Sequence, residues 1–293
     1  MTALFSIQDL PRLGPERVSL VTQAKAKRRR AVSPLNGMGR MFVVAADHTA
    51  RGATGAGSND MAIANRLDLL SRLVTVLRRP EVNAVLGSAD VLEELLLLGA
   101  LDRKVVFGTM NRGGLQGAEF ELDDRFTAYT PEALANSGFD GGKMLLRMDP
   151  GDAGTVRTLE SCATAVDRLA GHSLMAMVEP FMSRRQNGQV SNELTADAMA
   201  RAIGVASGLG STSAHMWLKV PIVPDLPRAL EATTLPTLIL GGEVPEDQDR
   251  MLDAWRAALT LPTVYGFVVG RPALFPRDHD VEGAIDAMIG LMR

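Results

Sequence analysis

The chain has 293 residues, 46% of them hydrophobic and 22% charged, and its formal net charge is -3 at pH 7. This composition is typical of a globular protein, and the length suits one large α/β domain. A slightly negative charge argues against general nucleic-acid affinity, which requires a basic surface. The single cysteine excludes an internal disulfide, and no apolar run approaches the ~18 residues of a membrane span. We therefore expect a soluble, cytoplasmic protein with no membrane association.

The first 40 residues are predicted to form a helical extension ahead of a main domain at residues 41–293. One helix is predicted over residues 15–30, with a run of basic residues towards its end: Lys25, Lys27, Arg28, Arg29 and Arg30. Cations at that position suit the negative end of the helix dipole. A nucleic-acid or localisation tag is the alternative, but a short basic run is more often a solvated helix end.

From residue 41 onwards, short β-like runs alternate with longer helical patterns. Strands are predicted at 41–46, 82–86, 104–107, 143–148, 174–179, 214–220, 237–240 and 265–269. Helices are predicted at 59–79, 89–98, from about 130, and at 154–170, 195–208, 226–232, 246–259 and 281–291. In the first of these helices, the buried face is expected to comprise Leu67, Leu70, Val74 and Leu77.

Eight strands that are each followed by a helix indicate parallel pairing, and a closed (β/α)₈ TIM barrel of the α/β class is the most economical arrangement. A doubly wound open sheet is the alternative. That alternative has no support from a Gly-x-Gly-x-x-Gly turn or a Walker-type Gly-Lys-Ser/Thr sequence.

Polar residues cluster at the predicted carboxyl ends of the strands, where TIM barrels carry their active sites. The catalytic candidates are Asp47, Lys143, Glu179 and Lys219, and the candidates for binding the substrate or its anionic group are Asn111, Arg112, Arg147, Gly241, Gly242, Gly270 and Arg271. They include two acids, two amines and two glycine-containing turns. The sequence therefore predicts a catalytic site at this mouth of the barrel.

Lys219 lies within the apolar run 215–223, and a lysine is almost never fully buried without a partner. Burial would lower the pKa of its amine, which could then attack a carbonyl and form a Schiff base. A structural ion pair or a side chain that reaches the surface is the alternative. Lys143, two strands earlier, is expected to face Lys219 and lower its pKa further, unless it lies deeper and pairs with an acid.

The carboxylates and the glycine turns also have two interpretations each. Glu179 is expected to move protons, and Asp47 to contact a substrate hydroxyl, although either could be a structural partner of a lysine. Gly241-Gly242 and the Gly270-Arg271 pair follow the last two strands, where many barrels bind phosphate. The segments 51–57 and 112–117 are predicted to be mobile loops over the mouth, with plain surface loops as the default.

Other chemistries have little support in the sequence. The four histidines are scattered, without a His-x-x-x-His motif or a cysteine pair, so we expect no metal and no cofactor. A serine hydrolase would require a Gly-x-Ser-x-Gly motif, which we do not find. A homo-oligomer is compatible with the fold, but no sequence feature identifies an interface.

The order of these residues resembles class I aldolases. The resemblance comprises Asp47, Gly142-Lys143, Val178-Glu179-Pro180, Lys219-Val220 and Gly270-Arg271. The similar group contains tagatose-bisphosphate, sulfofructose-phosphate and deoxyribose-phosphate/archaeal fructose-bisphosphate aldolases. The loop 111–114 also resembles an uncharacterised actinobacterial-type subgroup, some of whose members are associated with inositol breakdown. Two departures are Leu240-Gly241-Gly242-Glu243 in place of a Ser/Ala-Gly turn, and Glu243 itself, which would repel an anion if it pointed inward.

The resemblance implies a metal-independent class I aldolase that acts on a phosphorylated or otherwise anionic sugar. Lys219 would be the Schiff-base lysine, Glu179 and Lys143 would assist proton transfer, and Arg271 would hold the anionic group. Two alternatives remain at this stage. One is a phosphate-binding barrel isomerase without a covalent intermediate, and the other is a non-catalytic barrel that binds a sugar phosphate.

Overall fold

The computed structural model of the chain describes residues 5–111, 115–244 and 246–293. The strands in these ranges are β1 (Met41–Ala46), β2 (Ala84–Gly87), β3 (Val105–Thr109), β4 (Gly141–Met148), β5 (Met175–Gln186), β6 (Gln189–Asn192), β7 (Met216–Pro221), β8 (Thr237–Leu240) and β9 (Val264–Val269). The α-helices are α1 (Arg17–Lys27), α2 (Arg66–Leu77), α3 (Ala89–Leu97), α4 (Pro131–Asn136), α5 (Gly154–Gly171), α6 (Ala196–Ser207), α7 (Leu226–Leu230), α8 (Gln248–Ala258), α9 (Arg271–Leu274) and α10 (Val281–Leu291).

Eight of these strands form a closed parallel barrel with helices between them. The order is β4-β3-β2-β1-β9-β8-β7-β5, and a further parallel pairing of β4 with β5 closes the sheet on itself. All six residues of β1 are buried, as expected for a parallel strand that is covered on both faces. The prediction of a (β/α)₈ barrel is confirmed, and the open-sheet alternative is wrong.

Side-chain caps fix where several of the helices begin. The Thr130 hydroxyl accepts a hydrogen bond from the backbone N–H of Ala133 at the start of α4, and Thr195 caps α6 in the same way. Each of these threonines satisfies a helix N–H that has no partner within the helix. Both helices begin within one residue of the predicted position.

The helix after β1 differs from its prediction in both its start and its buried face. It begins at Arg66, capped by the Asn65 side chain, and not at residue 59. Its buried face comprises Leu69, Leu70, Leu73, Val76 and Leu77. Leu67 was predicted to be buried, but it is 38% exposed because it lies on the opposite side of the helix.

The strand that carries Glu179 extends seven residues beyond its predicted end and continues into a hairpin that the prediction missed. Residues 183–186 of β5 pair antiparallel with β6. The connecting residues, Asn187 and Gly188, have φ angles of 51° and 78°. Both angles are left-handed, and an Asn-Gly pair is the preferred sequence for such a two-residue turn. That dipeptide was the signal for this hairpin.

The basic run after α1 anchors the N-terminal segment to the barrel. The helix ends at Lys27, and the Arg28 guanidinium donates hydrogen bonds to the carbonyl oxygens of Leu101, Lys104 and Gly138 and to the Asp140 carboxylate. The prediction of a solvated helix end is therefore wrong for Arg28. The domain boundary at residue 40 stays a prediction. In the described ranges, none of the helices is both long enough and apolar enough to cross a membrane.

Candidate active site

A cavity of about 1040 Å³ opens at the carboxyl ends of the barrel strands. Its walls come from the strand ends, the loops that follow them, the β5–β6 hairpin and α8. Ten of the eleven residues singled out from the sequence can be located. Arg112 lies outside the described residues, and its predicted role stays a prediction.

The two-residue period of a strand explains which side chains reach this cavity. On β4, the cavity-lining residues are Lys143, Leu145 and Arg147, at every second position. On β5 they are Glu179 and Phe181, by the same rule. Lys143 lies deepest on β4, but its long side chain reaches the level of Glu179.

Four buried charged groups meet at the base of the cavity, and we call Asp47, Lys143, Glu179 and Lys219 the charge cluster. The Glu179 Oε2 atom lies 2.9 Å from the Lys143 Nζ atom and 3.0 Å from the Lys219 Nζ atom. Lys143 Nζ also lies 3.3 Å from Asp47 Oδ2. All four residues are at most 8% exposed. The two lysines therefore share one carboxylate oxygen.

The pKa values of the two lysines shift in opposite directions. Burial lowers the pKa of Lys219, and the nearby charge of Lys143 lowers it further, which together outweigh the opposing effect of Glu179. Burial also acts to lower the pKa of Lys143, but Asp47 and Glu179 outweigh it and raise this pKa. Lys143 therefore keeps its proton, whereas Lys219 loses its proton more readily than an ordinary lysine.

Both carboxyl groups of the cluster are ionised. Burial acts to raise the pKa of Glu179, but the charges of Lys143 and Lys219 outweigh it and lower this pKa to about 2. Burial likewise acts to raise the pKa of Asp47, and Lys143 makes the largest contribution to holding it below the usual range. At neutral pH, each carboxylate therefore carries a negative charge beside an ammonium group of the cluster.

Two of the predicted binding residues make contacts within the protein. The Asn111 side-chain amide donates to the Leu145 carbonyl oxygen at 2.7 Å and accepts from the Leu145 N–H at 2.9 Å. Asn111 thus pairs with the β4 backbone and not with the cavity, which corrects its predicted substrate contact. Arg147 lines the cavity, but its Nη1 atom lies 2.5 Å from Oε1 of the buried Glu121. Its positive charge is therefore offset.

The glycine turns after β8 and β9 line the cavity, with Arg271 beside them. The Gly241 N–H already donates to the Val268 carbonyl oxygen, so it is not available to an anion. At Gly270, a Cβ atom would lie 2.4 Å from a ring carbon of His48, so no larger residue fits. Arg271 forms an ion pair with Glu243, the residue whose direction the sequence left open. Gly242 has a φ of 65°, a left-handed value that favours glycine.

Two further residues of the cavity wall, His48 and Arg51, lie in the turn after β1 and were assigned no chemical role from the sequence. Burial lowers the pKa of His48 to about 3, with Arg51 and Arg271 acting in the same direction, so its imidazole is neutral at physiological pH. The Gln116 N–H donates to the Arg51 carbonyl oxygen, which joins the two loops that were predicted to cover the mouth. The position of Arg51 three residues after a strand-end Asp-His pair was a signal for it.

The donor set does not indicate a metal site. In the described part of the chain, no three His, Cys, Asp or Glu side chains are grouped in a way that could hold a metal ion. In the charge cluster, one oxygen of each carboxylate, Asp47 Oδ2 and Glu179 Oε2, already contacts an ammonium group. The expectation of no metal and no cofactor stays a prediction.

Known structures share the whole architecture of this chain. A crystal structure of Cgl0159 from Corynebacterium glutamicum is 44% identical, with a TM-score of 0.94, and the match covers 100% of this chain and 98% of that one. An archaeal fructose 1,6-bisphosphate aldolase is 17% identical, with a TM-score of 0.68 over 93% of this chain and 98% of that one. A second structure of an archaeal fructose-1,6-bisphosphate aldolase, with the catalytic lysine covalently bound to the carbinolamine intermediate of the substrate, is 16% identical, with a TM-score of 0.66 over 93% of this chain and 99% of that one.

At 16–17% identity, the likeness to the two aldolase structures shows a common fold. A comparison with curated proteins gives no match. The family assignment comes from a sequence profile described as Cgl0159-like, which matches residues 39–289 and therefore most of the chain. This chain belongs to the Cgl0159-like family.

Proposed function

We propose that the protein is a metal-independent class I aldolase that cleaves or forms a carbon–carbon bond in an anionic ketose through a Schiff base on Lys219. The observation that carries the proposal is the charge cluster, in which two lysines share Glu179 and only Lys219 has a lowered pKa. A neutral amine beside a carboxylate and a permanent cation is the arrangement that iminium chemistry requires. The fold shared with archaeal fructose-1,6-bisphosphate aldolases supports it.

The first half of the proposed reaction forms the iminium. Neutral Lys219 attacks the ketone carbon and gives a carbinolamine. The carbinolamine hydroxyl then accepts a proton and leaves as water, which forms the positively charged iminium. Lys143 is the proton donor for this step, because its ammonium lies in the same cluster and its raised pKa keeps it charged.

The second half breaks the carbon–carbon bond. Glu179 accepts the proton of the substrate hydroxyl, an aldehyde forms and leaves, and the bonding electrons move to the iminium nitrogen, giving an enamine. Glu179 returns its proton to the enamine carbon, and water hydrolyses the resulting iminium, which releases the ketone, leaves Lys219 as a free amine and restores the proton of Lys143. Asp47, which contacts Lys143, is placed to bind a further substrate hydroxyl. Candidate substrates are sulfofructose-phosphate, tagatose-bisphosphate and deoxy-keto-gluconate-phosphate sugars.

Borohydride trapping tests the proposal directly. The protein is incubated with dihydroxyacetone phosphate, reduced, digested, and mapped by mass spectrometry. We expect a reduced adduct on Lys219 that is absent in Lys219→Met and present in Lys104→Met, which alters a partly buried lysine at the amino end of the barrel. An adduct on Lys143 would preserve the aldolase and reverse the two lysine roles. No adduct with any of several ketoses and aldehydes would favour the isomerase or the sugar-phosphate-binding protein.

A further inference from the structure

Some of the positively charged side chains that line the cavity are paired with carboxylates, and others are not. In the described residues, the cations that line the cavity are Arg51, Lys143, Arg147, Lys219, Arg250 and Arg271. Two of them are ion-paired outside the charge cluster, Arg147 with Glu121 and Arg271 with Glu243. A carboxylate that already holds a guanidinium lowers the attraction of that guanidinium for an incoming anion. The arginine that was predicted to hold the substrate's anionic group is therefore partly occupied.

Arg51 differs from these two arginines. Arg51 lines the cavity and is only partly exposed. In the part of the chain that the structure describes, its guanidinium nevertheless makes no hydrogen bond, and no carboxylate oxygen lies within 4 Å of it. Its charge contributes to lowering the pKa of both Asp47 and Glu179, so it acts on both carboxylates of the charge cluster. The backbone of this arginine is fixed by the hydrogen bond from Gln116. Arg250 lies further out, exposed on α8 beside Glu246 and Asp247.

The net charge of the site explains why one additional cation is required. When Lys219 is neutral, Lys143 and the two carboxylates carry a net charge of about -1, which Arg51 offsets. When a sugar phosphate forms the iminium, about two negative charges and one positive charge are added, and the sum becomes about -1 even with Arg51 included. Charges buried together are costly unless they are compensated, so both states need the same cation.

We propose that the Arg51 guanidinium binds the anionic group of the substrate beside the Asp47 side of the charge cluster, and that Arg271 makes the smaller contribution. The proposal rests on the proposed function for the kind of ligand, an anionic sugar. The proposed anion site is separate from the Schiff-base lysine. An experiment can therefore reject the anion site and retain the aldolase, or the reverse.

The test uses sn-glycerol 3-phosphate, which has the phosphate but no carbonyl and so cannot form a Schiff base. Its dissociation constant is measured by calorimetry for the wild-type protein and for Arg51→Gln, with Arg256→Gln as a control of equal charge change. Arg256 lies on α8, pairs with Asp253, and does not line the cavity. We expect Arg51→Gln to weaken binding by at least about tenfold, as for the loss of a charged hydrogen bond. Arg256→Gln should change it by less than about twofold.

A paired variant tests the competing site without a change in net charge. Arg271→Gln combined with Glu243→Gln removes both members of that ion pair, and we expect binding to change by less than about fivefold. Arg51→Lys should recover part of the lost affinity, because it restores the charge without the planar guanidinium. Arg51→Gln also removes a charge that stabilises both carboxylates of the charge cluster, so circular dichroism at the temperature of the calorimetry checks that each variant is folded.

Three outcomes would overturn the assignment. They are an unmeasurable affinity in the wild type, equal losses in Arg51→Gln and Arg256→Gln, or a loss in the Arg271/Glu243 variant as large as that in Arg51→Gln. Binding of glycerol 3-phosphate by Lys219→Met, together with failure of borohydride trapping, would preserve the anion site and reject the aldolase. A trapped adduct together with an unaffected Arg51→Gln would preserve the aldolase and reject the anion site.

Discussion

The two ends of the barrel both bury cations, and they do so in different ways. At the amino end, Arg28 donates to three carbonyl oxygens and to Asp140, and Lys104 Nζ donates to the carbonyl oxygens of Arg79 and Val82 at 3.0 and 2.6 Å. At the carboxyl end, Lys219 contacts a carboxylate at the base of a cavity. The first set of cations holds the backbone in place, and the second faces a space that a substrate could enter.

A lowered pKa does not distinguish the two ends. Burial lowers the pKa of Lys104 to about 8, and burial also lowers the pKa of Lys219. The difference is that the Lys104 amine donates to backbone carbonyl oxygens and does not line the cavity. A perturbed lysine therefore indicates a reactive site only where a substrate can reach it.

The largest expected effect is the loss of catalysis in the Lys219→Met variant. We expect the rate of carbon–carbon cleavage to fall by at least about 10³-fold, because no other amine replaces the nucleophile. The fold should persist, since Glu179 keeps its contact with Lys143. Lys104→Met is the matched control, and we expect it to lower the free energy of unfolding by about 1–3 kcal/mol, because two carbonyl oxygens lose their donor. Loss of activity in Lys104→Met and its retention in Lys219→Met would show that the reactive lysine lies at the amino end and not at the carboxyl end.

The second largest expected effect is slower proton transfer in the Glu179→Gln variant. Loss of a positioned base typically lowers kcat by about 10²–10⁴-fold. An amide cannot accept the hydroxyl proton, but it can still contact both lysines. Steady-state kinetics and the yield of the borohydride adduct separate the steps, because iminium formation should survive while cleavage is slowed. An equal loss of adduct and of turnover would place Glu179 in the first half of the reaction.

The same variant makes a prediction about pH. The amine of Lys219 must be neutral to attack, so the rate of adduct formation should rise with pH through the pKa of Lys219, below the usual lysine value of 10.5. The charge of Glu179 raises that pKa, so Glu179→Gln should move the midpoint to lower pH. A midpoint that moves to higher pH would show that Glu179 does not stabilise the ammonium form.

The third effect is on stability and belongs to the amino end. Arg28→Met should lower the free energy of unfolding by about 3–5 kcal/mol, because it removes one partner of a buried ion pair. The Arg28 side chain is 3% exposed, and Asp140 is also nearly buried. Urea denaturation measures the loss, and the borohydride adduct per folded molecule should be unchanged. A loss of adduct formation in fully folded protein would show that the two ends are coupled.

The barrel could be predicted from the sequence because its strands are short apolar runs of regular spacing. β1 and β8 were predicted to the residue, since each lies between clear polar boundaries. β5 was cut short because its apolar run ends at Glu179, although the backbone continues for seven more residues. Residues 183–186 of that extension are polar, so hydrophobicity did not mark them; only the Asn187-Gly188 turn did.

The charge cluster was predictable in its membership but not in its contacts. Their positions on or at the ends of predicted strands placed Lys143, Glu179 and Lys219 at one mouth of the barrel, and all three line the cavity. Which cations are already compensated depends on loop residues distant in sequence. Glu121 and Glu243 provide that compensation, and no strand pattern indicates the first of them. The pairing of Asn111 with Leu145 of β4 was not predictable either, because it too joins residues that are distant in the sequence.

The smallest expected effect compares two arginines on one carboxylate. Arg30 lies 2.9 Å from Asp140 Oδ1, and Arg28 lies 3.0 Å from Oδ2, but their side chains are 56% and 3% exposed. Water screens an exposed ion pair and competes for its hydrogen bonds, so Arg30→Met should cost only about 0–1 kcal/mol. A double-mutant cycle with Arg28→Met, followed by urea denaturation, measures both terms. Equal losses of unfolding free energy in the two single variants would show that burial does not determine how much an arginine at the amino end stabilises the fold. Access to the cavity would then be the only difference left between the cations at the two ends of the barrel.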